Sequence, residues 1–170
     1  MPMPPARRAL LATLLTAPWL AACGFRLRRA PDLAFRSIYV DMPAASALGA
    51  ELKRQLAATG QVQLITDPAR RAQADVVLHG VQDARERAVV GLNAAGQVRE
   101  FQLRVRFRFR LSTPAGQEVL PEDEILRQID QSYSESAALS KEAEAQMLYQ
   151  SLQSDVVQQV MQRLATVRLP

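Results

Sequence analysis

Few side chains in this 170-residue chain could do chemistry, and their number and spacing say which kinds. There is one histidine, His79, and one cysteine, Cys23. A lone cysteine cannot close an intramolecular disulfide. A lone histidine with no cysteine in the body of the chain makes a poor metal site. The G-x-S-x-G elbow of a hydrolase is absent, so Asp75 and His79 have no such nucleophile to serve and His79 reads as a structural residue. The remaining reactive side chains are mostly cations. Arg104, Arg106, Arg108 and Arg110 alternate along one stretch, Arg85 and Arg87 precede them, and Lys141 stands beside Glu142 and Glu144. Without an acid–base pair or an activated nucleophile, the expected chemistry is binding and assembly rather than turnover, with no cofactor and no metal.

The arginines sit on the stretch that organises the chain, Val98 to Leu111 (V-R-E-F-Q-L-R-V-R-F-R-F-R-L). Phe101, Leu103, Val105, Phe107, Phe109 and Leu111 alternate with Gln102 and the four arginines, the period of a strand with one buried and one wet face. A helix would scatter those arginines around its axis. The row has two readings. It is either a wet sheet face whose arginines pair across strands with carboxylates such as Glu118 or Asp130, or a surface for an anionic ligand. Same-face side chains repeat at roughly 6.8 Å, a pitch suited to several phosphates or sugars.

The apolar face of that strand needs a cover. Leu148, Leu152, Val156, Val160 and Leu164 repeat at i+4 steps within a helix expected to start at Ser134 or Ser136 and run to about Ala165. Its opposite side is assigned Gln150, Gln153, Gln158, Gln159 and Gln162. At about 45 Å it can cross a small sheet. A second helix is expected from the cap Ser46 to about Thr59, with Leu48, Leu52 and Leu56 as its stripe and Gly60 at its end. Phe35 to Val40 is a candidate strand, Gln61 to Ile65 a short extended piece, and Ala69 to Ala74 a polar connection. From Asp75 to Tyr133, extended segments are broken by turn residues at Gly91 to Gln97 and Ser112 to Gly116, which reads as an antiparallel meander. Pro121 and the acids Glu122 to Glu124 point to a bulge or an edge.

The amino terminus is an address. Arg7-Arg8, an apolar run of about 14 residues and small residues before Cys23 make a secretory signal, too short for a span of roughly 20. A twin-arginine export signal is the weaker reading. Leu20-Ala21-Ala22-Cys23 resembles the bacterial lipobox, whose cysteine carries lipid; a conventional signal peptide that happens to hold a cysteine is the alternative. Residues 1–22 are therefore expected to be a signal peptide, 23–34 a lipidated tether and 35–170 a single domain. Acyl chains such as palmitate contribute about 0.8 kcal/mol per buried methylene, so more than one makes a durable anchor. Gly24, rather than Asp, after the cysteine points to the outer membrane. The formal charge is +4; subtracting Arg7 and Arg8 leaves about +2, which does not call for nucleic acid but suits phosphorylated lipid.

Three segments occur in order: L-A-A-C-G-F-R-L-R, N-A-A-G-Q-V-R-E-F-Q-L (Asn93 to Leu103) and A-A-L-S-K-E-A-E (Ala137 to Glu144) before a Gln-rich amphipathic helix. Together they resemble the LptE family of lipopolysaccharide-assembly lipoproteins. The resemblance implies an α+β two-layer sandwich, with about four mostly antiparallel strands and two helices on one face. It implies a partner, the outer-membrane barrel LptD, in whose lumen the protein sits as a plug, and it implies lipopolysaccharide binding. The positions matching the family's basic contact are Lys141, Arg85 and Arg87. The arginine row has no counterpart in that pattern. The rival readings are an auxiliary binding lipoprotein of another envelope transport system and, more remotely, a periplasmic hydrolase.

Overall fold

The computed structural model describes residues 33–169. The expected signal peptide and Cys23, and nearly all of the tether, lie outside the described residues. The elements in chain order are β1 (Ser37–Asp41), α1 (Ala47–Ala58), β2 (Gln63–Ile65), β3 (Val76–Leu92), β4 (Val98–Ser112), β5 (Glu118–Ser132) and α2 (Ala138–Thr166). Short 3-10 turns at Pro68–Gln73 and Glu135–Ala137 precede β3 and α2.

One sheet is formed, in the order β2-β1-β3-β4-β5. It has five strands rather than four. The added strand is the short piece Gln63–Ile65, which pairs parallel with β1. β1 also runs parallel to β3, so the sheet is mixed, while β3, β4 and β5 form the expected antiparallel meander. The class remains α+β with two helices.

The alternating stretch is the central strand β4, and Leu103, Val105, Phe107, Phe109 and Leu111 are essentially without solvent contact. α2 lies over β4 and β5, and α1 lies beside α2. The buried side of α2 presents Leu152, Val156, Val160 and Leu164 to the same core that holds Leu48, Leu52 and Leu56 of α1. Each fully buried Leu, Val or Phe contributes about 1.5–3 kcal/mol of transfer free energy, so this shared core orients both helices.

Ser46 caps α1 as expected, its Oγ accepting from the Gly49 amide at 2.8 Å, and Gly60 takes the left-handed φ of 64° just past the helix end. α2 departs from expectation at its start. Neither Ser134 nor Ser136 caps it; their hydroxyls bond each other at 2.9 Å, and the 3-10 turn leads the chain in. The expected polar connection at 69–74 is also ordered, its first turn capped by Asp67.

Two irregularities decide which side chains share a face. In β3 the register passes from Gly80↔Phe109 to Gln82↔Arg108, so Val81 is an extra residue and the alternation reverses there. In β5 the register passes from Leu120↔Leu111 to Asp123↔Phe109, which puts the expected bulge at Pro121 and Glu122.

Candidate functional site

Beyond the bulge, β3 turns its odd-numbered side chains to the helices. Arg85 pairs with buried Val105 and Arg87 with buried Leu103, so both arginines stand on the helix side of the sheet, next to α2. Arg87 is clamped there. Its guanidinium lies 3.8 Å over the Phe101 ring and 5.9 Å from that of Tyr133, and Nη1 donates to Glu142 at 2.9 Å. Phe101 and Tyr133 themselves meet edge to face at 5.0 Å, so the cation rests on a platform of two rings.

Arg85 is held more lightly. Nη2 donates to Gln153 Oε1 at 2.6 Å and the guanidinium lies 5.6 Å from the Tyr149 ring. Gln153, only 7% exposed, passes the contact on by donating to Glu51 at 2.6 Å, and Ser154 donates to the other Glu51 oxygen at 2.8 Å. Placing Gln153 on the solvent side of α2 was incorrect: it tethers α2 to both α1 and β3. Glu51, Arg54 and Arg85 line a groove of about 690 Å³ between the two helices, with Ala47 and Ala50 as part of its wall. Four of the five guanidinium donors of Arg85 keep no partner among the described residues, and neither does the side chain of exposed Arg54.

Tyr149 closes the same region. Its hydroxyl donates to the Glu86 carbonyl at 2.8 Å. Burial pushes its pKa above 10.0, against the pull of the nearby Arg87 and Arg85 cations.

Lys141 stands at the same end of the molecule but on the other flank of α2. Its ammonium donates to Glu144 at 2.8 Å and to Ser132 of β5 at 3.1 Å, and its carbonyl accepts from buried Gln131 at 2.8 Å. The structure therefore brings Arg85 and Arg87 together, and leaves α2 between them and Lys141.

The arginine row lies on the opposite, open face. Arg106 bridges β3 and β5, donating to Glu86 at 3.3 Å and Glu124 at 2.6 Å. Arg108 pairs with Glu122 at 3.0 Å and donates to Gln82, and Arg104 donates to Gln102 with Glu86 at 4.0 Å. Cross-strand pairing is thus what the geometry supports for these three, through Glu86, Glu122 and Glu124. Asp130 accepts from Gln102 instead. Arg110 has no side-chain partner among the described residues.

His79 is also on the open face. Nδ1 meets Asp41 at 3.2 Å and Nε2 meets Ser112 Oγ at 3.0 Å; those partners set the tautomer with the proton on Nδ1, so that Nε2 accepts from the hydroxyl. The order Ser–His–Asp is that of a nucleophilic triad. Ser112, however, lies in the β4 ladder between Val77 and Glu118 and is only 7% exposed. The relay ties β1, β3 and β4 together. No cluster of three possible metal ligands occurs among the described residues.

Sequence reasoning missed Glu142, Tyr149 and Gln153 as partners of the two β3 arginines, and Glu51 as the partner of Gln153. The signal was present in part: 142, 149 and 153 recur at helical spacing along one flank of α2.

This architecture, a mixed sheet with two helices on one face, is shared by solved lipoprotein structures. Uncharacterized lipoprotein B from Nitrosomonas europaea is 28% identical, with a TM-score of 0.71 over 84% of this chain and 90% of that one. Rare lipoprotein B from Shewanella oneidensis is 23% identical, with a TM-score of 0.63 over 77% and 95%. A minor lipoprotein from Acinetobacter baumannii, 18% identical, has a TM-score of 0.63 over 82% and 100%. Comparison with curated proteins gives no match. The family model described as LptE, lipopolysaccharide-assembly, matches residues 35–164, from Phe35 beside β1 to the last core leucine of α2. Since that span takes in the whole sheet and both helices, the chain belongs to the LptE family and has its role in lipopolysaccharide assembly.

Proposed function

We propose that this protein is an outer-membrane lipoprotein, anchored through lipid on Cys23, that sits as a plug and assembly partner in the LptD barrel and binds lipopolysaccharide during its insertion. The observation that carries the reading is the family match across the entire folded body. Binding needs no bond-making chemistry, cofactor or metal: the protein supplies a rigid two-layer body and cations that phosphate can reach.

Arg85, Arg87 and Lys141 are the proposed glycolipid contacts, with different duties. Arg85 faces the groove with donors to spare and can take a lipid phosphate in charge-assisted hydrogen bonds. Arg87 and Lys141 already hold carboxylates, Glu142 and Glu144, that are 55% and 40% exposed. A phosphate, with greater charge and three oxygens, competes with those carboxylates by exchange at the surface.

Two measurements test this. Purification of the protein from detergent-extracted membranes should bring down one large barrel protein identifiable as LptD; a different stable partner would favour another envelope transport system. The folded triple variant Arg85→Ala, Arg87→Ala, Lys141→Ala should bind lipopolysaccharide about tenfold or more weakly, the scale of losing charge-assisted contacts. Unchanged binding removes these residues from the site.

A further inference from the structure

The sheet has two open edges in the region of the cations, and they are built differently. β5 is the outer strand on one side. It is interrupted by Pro121 and by its bulge, both devices against strand addition. The other edge is the far half of β3. β1 accompanies β3 only as far as Asp41↔His79, after which the chain turns away into α1 through Ser46, whose hydroxyl donates to Asp83 at 2.7 Å. From Asp83 to Val90, β3 pairs with β4 on one side and with no strand on the other among the described residues. This run holds no proline. Its charged side chains are drawn into the protein's own contacts, Glu86 to Arg106, Arg87 to Glu142 and Arg85 to Gln153, rather than guarding the edge. Among the described residues, the only side chain reaching its backbone is Tyr149, at the Glu86 carbonyl. Val89 and Val90 are about half exposed, at 51% and 47%.

We infer that this edge of β3 receives an extended segment of a protein partner as an added strand, with an acidic side chain of that segment seated toward Arg54. A strand laid along β3 gains main-chain hydrogen bonds over several residues, while alternate side chains set specificity. Every second side chain of such a strand lies on the helix side, beside Asp83, Arg85, Arg87 and Val89. There the groove offers the guanidinium of Arg54, which has no partner among the described residues, while both oxygens of Glu51 are already satisfied. The chemistry fits a carboxylate side chain, with an apolar one four residues along to cover Val89. The occupant is a segment of the barrel partner, so this inference rests on the function proposed above.

The test uses the full-length protein in its membrane complex, with a photo-crosslinking amino acid placed singly at Gln82, Ala84, Ala88 and Val90 and, as a control on the β5 edge, at Gln128. Strand addition predicts that the four β3 positions crosslink to one partner segment containing an Asp or Glu, with attachment points stepping steadily along it. Arg54→Glu should lower the crosslinked fraction about tenfold, as reversal of a complementary interfacial charge does. Scattered attachment points, or none, in a complex that still purifies intact overturn the added strand and leave the partnership standing. Failure to form any complex with a barrel removes the partnership itself, and this inference with it.

Discussion

Arg106 decides what the open face is for. Replacing it with Met keeps most of the aliphatic stem and removes the charge that joins Glu86 on β3 to Glu124 on β5. Both pairs are partly exposed, 26% for the arginine against 38% and 40% for its partners, so each contributes about 0.2–1 kcal/mol rather than the value of a buried pair. Glu86 keeps Arg104 at 4.0 Å, which softens the loss. The expected cost is about 1 kcal/mol, or a fall of about 3–5 °C in Tm for a domain of this size. Half-exposed charges are screened, so the gap between wild type and variant should shrink as salt rises toward 1 M. A double-mutant cycle with Glu124→Gln, read by urea unfolding, should return a coupling of about 0.5 kcal/mol. Lipopolysaccharide binding should be unaffected. A variant of unchanged stability that binds lipopolysaccharide tenfold more weakly would refute the structural role and make the arginine row a ligand surface.

Other expectations follow from single side chains. Tyr149→Phe loses the bond to the Glu86 carbonyl and should cost about 1 kcal/mol at neutral pH. Because burial raises the folded pKa of Tyr149 above 10.0, its contribution is intact below pH 10 and is lost as pH rises through the folded value. Wild-type stability should therefore decline more steeply than that of the variant in the alkaline range, and parallel declines would show that this hydroxyl is not the cause. Phe107→Ala empties a position with no solvent contact beneath α2 and should cost about 3–5 kcal/mol by chemical denaturation; a loss below about 1 kcal/mol would mean that the helix does not depend on that ring.

The central strand and its covering helix were legible because their periods are unambiguous. Six apolar residues at every second position from Phe101 fix a one-sided strand, and leucines and valines every fourth residue from Leu148 fix the stripe that covers it. Parallel pairing was not legible: Gln63–Ile65 is three residues long, and nothing in so short a piece says which neighbour it joins or in which direction. Gln153 was misplaced because periodicity assigns a polar residue to solvent, whereas here a buried amide satisfies Arg85 and Glu51 at once. The partners of the arginine row were not legible either: pairing register sets Glu118 opposite Ser112 and Asp130 opposite Gln102, and leaves Glu86, Glu122 and Glu124 within reach of the arginines.

The bulge at Val81 reaches furthest into function. Without it, the alternation that points Val76 and Leu78 toward the helices would continue through even numbers. Glu86 would then lie beneath α2, and Arg85 and Arg87 would join an already basic open face. With it, the acid lands between Arg104 and Arg106, and the two cations land where Glu142, Gln153 and Tyr149 receive them. The bulge thus reconciles the order of residues along β3 with two different faces, one neutralised and one whose groove can accept an anion. Deleting Val81 should cost little, about 1 kcal/mol or less, because Gln82 then follows Gly80 in plain alternation and Arg85, Glu86 and Arg87 keep their faces. If the deletion instead unfolds in urea about 3 kcal/mol or more below wild type, the bulge's local twist, and not only its register, holds the two faces apart.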